Sequence, residues 1–162
     1  MTLNPDAAAP PPIRLKDYAP PPYRIEAVDL SFALDPKRTI VKSRLAVRRD
    51  KAVDPSTPLT LHGEQIELIK IALDEDALPP SAYEVSDKAL TIRNLPQDFT
   101  LDIETACSPE ANTALSGLYI SNGMFCTQCE AEGFRRITYF LDRPDNLSRF
   151  TVRIEADKAA YP

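Results

Sequence analysis

Gln128 and Glu130 stand two residues apart in the stretch FCTQCEAEGFRRITYFLDRP, directly after the turn-forming pair Asn122-Gly123. On a strand running from Met124 to Glu130, residues two apart project from one face. An amide oxygen beside a carboxylate can accept several N–H bonds from a primary ammonium, and the ionised acceptor makes those bonds charge-assisted. Polar pairs are also common on the wet faces of strands, so spacing alone favours the bland reading. Cys126 and Cys129 form a CxxC in the same stretch, and with Cys107 and His62 they supply the bare ingredients of a Cys3His zinc site. Three features argue against metal or redox work. A redox pair belongs at a helix N-terminus after a parallel strand, Cys107 and His62 are not a closely spaced ligand pair, and on a strand the two thiols face opposite sides. Buried, inert thiols fit better.

His62 is the only histidine, so no relay of imidazoles can be assembled. It precedes Gly63 and is expected in a surface turn. Glu132, Arg135, Arg136, Asp142 and Arg143 follow the Gln/Glu pair and should form salt bridges around a short helix. Arg135 and Asp142 are also candidates to orient Glu130 from behind. Glu130 and Glu132 are paired carboxylates, but nothing in the chain would polarise a scissile bond for them.

The elements that must position these groups repeat every two residues. Phe99, Leu101 and Ile103 alternate with Thr100, Asp102 and Glu104. Val41, Leu45 and Val47 alternate with Lys42, Arg44 and Arg48, and Phe150, Val152 and Ile154 with Arg149, Thr151 and Arg153. Two runs change phase midway, Ile25 and Ala27 giving way to Val28, and Ile66 and Leu68 giving way to Ile69, which predicts a bulge in each or a strand long enough to serve two sheets. Turn signals separate the runs at Asp35-Pro36, Asp54-Pro55, Pro79-Pro80, Ser86-Asp87-Lys88 and Asn122-Gly123. The pattern predicts an all-β, antiparallel sandwich or saddle of about eight to ten strands. The exception is 131–141, where a short helix or helical turn ended by Pro144 is expected. Residues 1–22, with Pro10-Pro11-Pro12 and Pro20-Pro21-Pro22, read as an extended arm, and 23–162 as one domain.

A net charge of −5 argues against nucleic acid, which needs a concentrated basic surface, and Arg48-Arg49 with Lys51 reads as a solvated strand end. No apolar run reaches the roughly 18 residues a membrane span needs. The opening MTLNPDAAAPPP has neither a basic n-region nor an apolar h-region. Three cysteines, with no evident disulfide framework, suit a reducing compartment, and a cytoplasmic protein is expected.

Taken with NTALSGLYISNG before it and DNLSRFTVRIEADKAAYP after it, the central stretch resembles the N-terminal domain of bacterial aminopeptidase N, in the gluzincin class of zinc metallo-aminopeptidases. The resemblance runs from about Tyr18 to Pro162. It implies that Gln128 and Glu130, in TQCEAEG, correspond to the glutamine and glutamate that bind the free α-amine of a peptide substrate. The zinc signature of that class, His-Glu-x-x-His with a distant third ligand, cannot be met by a chain with one histidine. The resemblance therefore implies a zinc site in the complete enzyme, with ligands outside this sequence and no cofactor or catalytic residue within it. The partners it implies are a peptide N-terminus and the protein's own catalytic domain. The face that docks on that domain should be exposed and prone to self-association. The competing reading is a free-standing β-sandwich that binds or scaffolds without catalysis, though the lack of any Trp weakens a carbohydrate-binding version of it.

Overall fold

Two-residue alternation decides which side of each strand is buried, and the strands sort themselves accordingly. The computed structural model describes residues 14–161. It contains β1 (Tyr23–Ala33), β2 (Thr39–Arg49), β3 (Leu59–His62), β4 (Glu67–Leu73), β5 (Asp76–Ala77), β6 (Tyr83–Val85), β7 (Ala89–Ile92), β8 (Asp98–Cys107), β9 (Gly117–Ser121), β10 (Met124–Gln128) and β11 (Arg149–Glu155). A six-stranded sheet has the order β11-β1-β2-β8-β4-β5, a three-stranded sheet the order β3-β7-β6, and β9-β10 is a hairpin. The fold is all-β, as the periodicity implies, with one parallel pairing, β1 with β11. Of the expected arm, residues 1–13 lie outside the described residues. Residues Leu15–Asp17 form a single 3-10 turn.

Val28, Leu30 and Phe32 of β1, Val41, Leu45 and Val47 of β2, and Phe99, Leu101 and Ile103 of β8 all point into one core. Leu59 and Leu61 of β3 and Leu90 and Ile92 of β7 close it from the smaller sheet. Both phase changes are bulges: the register slips between Ile25 and Ala27 against β2, and between Leu68 and Lys70 against β8. At the first, the carboxamide Oδ1 of Asn146 accepts from the Ile25 N–H at 3.0 Å, replacing a ladder bond that the extra residue disrupts.

Three expectations need correction. Arg49 is not a solvated strand end but is buried, its guanidinium donating to the carbonyls of Pro55 and Leu95 at 3.1 Å each. The phase that sends Val41, Leu45 and Val47 inward sends Arg49 inward as well, and the loop carbonyls at the sandwich end satisfy it. The helix expected over 131–141 shrinks to one 3-10 turn, Phe134–Arg136. Beyond it the backbone extends so that Phe140 and His62 exchange hydrogen bonds of 2.8 and 3.1 Å. β11 has the expected alternation but no buried side, since all seven residues are exposed.

Candidate amine-binding site

The site begins at the hairpin. Asn122 and Gly123 adopt φ of 49° and 79°, the paired left-handed conformation of a two-residue primed turn, which Asn tolerates and Gly takes freely. That turn sets Met124 opposite Ser121 and Gln128 opposite Gly117. The strand ends at Gln128, one point where the structure departs from the strand drawn through Glu130. Glu130 lies in the turn beyond, and its peptide bond to Ala131 is cis. The two side chains thus share no strand face. They are coupled another way, Gln128 Nε2 donating to the backbone carbonyl of Glu130 at 3.1 Å. Both residues are exposed. Among the described residues the Glu130 carboxylate forms no ion pair, so its oxygens are open to an incoming cation.

What holds this turn is a carboxylate behind it. Asp142 is buried, and its Oδ2 accepts from the backbone N–H of Gly133 (3.1 Å), that of Arg135 (3.2 Å) and Arg135 Nε (2.8 Å). Arg135 returns a bond from Nη2 to the Asp142 carbonyl at 2.9 Å and pairs with Glu132 at 3.1 Å. Arg135 and Asp142, the residues expected behind Glu130, are therefore bonded to each other and to the loop. Gly133 completes the support. A Cβ there would lie 2.5 Å from the Gln128 carbonyl oxygen, so only glycine lets the loop fold back on the end of β10. Arg136 ties the loop to β3–β4 through Glu64 and, at 2.6 Å, Gln65. Gly133, Glu64 and Gln65 carry no sequence signal for this role, because their partners are remote or are backbone atoms.

The cysteines do not converge with His62 on a metal. Among the described residues no group of three His, Cys, Asp or Glu side chains could hold an ion. All three thiols are free, and they are half-buried rather than enclosed. Burial pushes the Cys107 thiol up to about 11, and burial together with the Asp142 charge raises that of Cys129. His62, expected at the surface, is half-buried at the Phe140 bridge. Desolvation, then the nearby Arg135, lower its pKa, and its Nδ1 has no hydrogen-bond partner.

Cys107 supplies a stability signature. Its folded pKa lies above the 9.0 of the free thiol, so folding favours the neutral form. That contribution is complete below about pH 9 and is lost as pH rises towards 11. Urea midpoints measured across this window should fall for the wild type and fall less for Cys107→Ala. Parallel slopes would show that the thiol titrates alike in the folded and unfolded chain.

A mostly antiparallel saddle whose hairpin leads into a braced, acidic turn defines a class of domain. Residues 20–161 match the Peptidase M1 N-terminal domain, and the chain belongs to that family. It is 51% identical over 145 residues to aminopeptidase N of Caulobacter vibrioides, covering 90% of this chain and 17% of that protein. Against aminopeptidase N of Escherichia coli the figures are 49% over 146 residues, 90% and 16%. The chain thus spans about one sixth of the length of these relatives. The crystal structure of Legionella pneumophila aminopeptidase A in complex with aspartic acid superposes with a TM-score of 0.83 at 34% identity, covering 93% of this chain and 18% of that one. An M1 zinc metallopeptidase from Deinococcus radiodurans, at 16% identity, 84% and 33% coverage and a TM-score of 0.70, shares the fold.

Proposed function

We propose that this chain is the substrate-binding wall of a zinc metallo-aminopeptidase, and that Gln128 and Glu130 anchor the free α-amine of a peptide. The observation that carries this reading is the exposed Glu130 carboxylate, without an ion-pair partner among the described residues, in a turn whose backbone is tied to Gln128 by the 3.1 Å bond and continues into Gly133, held by the Arg135–Asp142 pair. A primary ammonium presents three donors and one charge. The carboxylate supplies the counter-charge, and the Gln128 carboxamide oxygen is a second acceptor. Fixing the amine would place the first peptide carbonyl at a constant distance from a metal held by the catalytic domain, and would leave no room for residues upstream. Zinc, when bound by that second domain, would supply an activated water. This chain's part is to bind and orient. Three unpaired thiols fit a reducing, cytoplasmic setting for such an enzyme.

The test uses the complete M1 enzyme that carries this domain. A peptide anilide with a free amine should be cleaved at least about 100-fold faster, in kcat/KM, than the same peptide N-acetylated. Equal values for the two substrates would remove amine anchoring from the mechanism.

A further inference from the structure

His62 belongs to a closed ring of bonds with the turn that carries Glu130. Its N–H donates to the Phe140 carbonyl at 2.8 Å, and its carbonyl accepts from Phe140 N–H at 3.1 Å. Two residues on, Glu64 N–H donates to the Arg135 carbonyl at 2.9 Å, and the Glu64 side chain pairs with Arg136. Arg135 Nε and Asp142 Oδ2 close the ring at 2.8 Å. Gly63 packs so tightly on the Tyr139 ring that no Cβ would fit, which presses 62–64 onto the segment leading to Asp142.

The imidazole in this ring is poorly placed to accept a proton. Nδ1 is buried and has no hydrogen-bond partner. With its proton on Nε2, a neutral ring leaves one acceptor unfilled. In the imidazolium both nitrogens are donors, and Nδ1–H would be a charged donor facing no acceptor. The charges acting on the ring come from two elements: Arg135 and Glu132 from the turn, Asp142 and Arg143 from the segment after Phe140. On the β7 side the residue paired with His62 is Ala89, and Lys88 bonds the segment through its carbonyl, accepting from Gly63 N–H at 3.0 Å. Two cations and two anions oppose one another, so burial decides and holds the imidazole below its usual 6.5.

We propose that His62 is a positioning residue for the amine-binding turn: uncharged, it lets Arg135 hold Asp142, and a proton on it loosens that hold. The imidazolium repels the Arg135 guanidinium and competes with it for the Asp142 carboxylate. Either effect slackens the grip of Asp142 on the N–H groups of Gly133 and Arg135. Because the folded chain resists the proton, the stabilising contribution of His62 is present above about pH 6.5 and is lost as pH falls through the folded pKa. The consequence for catalysis rests on the amine-anchoring reading, whereas the coupling of His62 to the turn does not.

His62 is the only histidine, so its imidazole C2–H signal is unambiguous in an NMR titration of the 162-residue chain. Its midpoint should lie below 6.5, and the Gly133 and Arg135 amide signals should move with that midpoint. In His62→Gln, which is neutral throughout, both amides should stay flat between about pH 7.5 and about pH 5. Amides that ignore the imidazole in the wild type, or that titrate unaltered in His62→Gln, overturn the proposal. The complete enzyme supplies the second readout, the ratio of kcat/KM for a free-amine peptide to that for its N-acetylated form. Over the same range this ratio should fall roughly threefold or more in the wild type and hold constant in His62→Gln. Such a fall runs against the substrate, whose α-amine gains charge below about pH 8. Groups that titrate in the catalytic domain act on both peptides and cancel. A wild-type ratio that stays constant well above one, or that falls equally in His62→Gln, also overturns the proposal. A ratio near one at every pH, with amides that still follow the imidazole, supports the coupling and refutes amine anchoring instead.

Discussion

In the complete enzyme, Glu130→Ala should lower kcat/KM for unblocked peptides by about 30-fold to a few thousand-fold, the 2–5 kcal/mol typical of leaving a desolvated charge without its partner. The free domain leaves Glu130 exposed, so the effect arises only when a second domain closes over the amine and removes water from it. Glu130→Gln keeps an acceptor and loses the charge, and should lie between wild type and Ala. Gln128→Ala should cost less than Glu130→Ala, because it removes a neutral acceptor and the 3.1 Å bond that links Gln128 to the turn. The informative control is an N-acetylated substrate, on which Glu130→Ala should have almost no further effect. Unchanged kcat/KM for Glu130→Ala on unblocked peptides would place the amine elsewhere.

The parts of this fold that the sequence displays are the ones governed by local periodicity. The alternation in β2 and β8, both bulges and the Asn122-Gly123 hairpin follow from spacing, because a buried face and a left-handed turn each impose their own residue types. Gln128 and Glu130 were identifiable as a pair, but their geometry was not. Where β10 ends depends on Gly133 folding back against the Gln128 carbonyl and on Asp142 drawing in two backbone N–H groups, contacts to main-chain atoms that residue types and their spacing do not announce. Arg49 failed for a related reason. Its burial is set by strand phase, whereas its satisfaction comes from the carbonyls of Pro55 and Leu95, which only the tertiary fold brings near. β11 shows the opposite limit. Its apolar face is legible as a core face, yet among the described residues it is covered only in part, Phe150 packing on Phe134 and Phe140 while Val152 and Ile154 stay exposed. The single 3-10 turn at Phe134–Arg136 in place of a helix reflects competition, since His62 offers Phe140 a pair of strand-like bonds that a helix would forfeit.

The turn that presents Glu130 should depend on Asp142 for stability as well as position. Replacing Asp142 by Ala removes the partner of Arg135 and strands the N–H groups of Gly133 and Arg135, which then have no acceptor. Breaking a fully buried ion pair costs about 3–5 kcal/mol, and here the Asp142 side chain is 10% exposed and that of Arg135 19%. Water can still reach part of the guanidinium, so the lower end, about 3 kcal/mol, is expected. In thermal unfolding that corresponds to a drop in Tm of roughly 10 °C for a chain of this size. Asp142→Asn retains an acceptor and should lose about half as much. Glu132→Ala tests the other side of Arg135. The Glu132 side chain is 60% exposed, and surface pairs contribute little, so its Tm should shift by no more than about 2 °C. If Asp142 positions rather than merely stabilises, Asp142→Asn assayed in the complete enzyme, well below its Tm, should raise KM for unblocked peptides and leave that for N-acetylated ones unchanged. Equal KM effects on both substrates would confine Asp142 to holding the fold. A Tm unchanged by Asp142→Ala would mean that the carboxylate network contributes nothing to the turn.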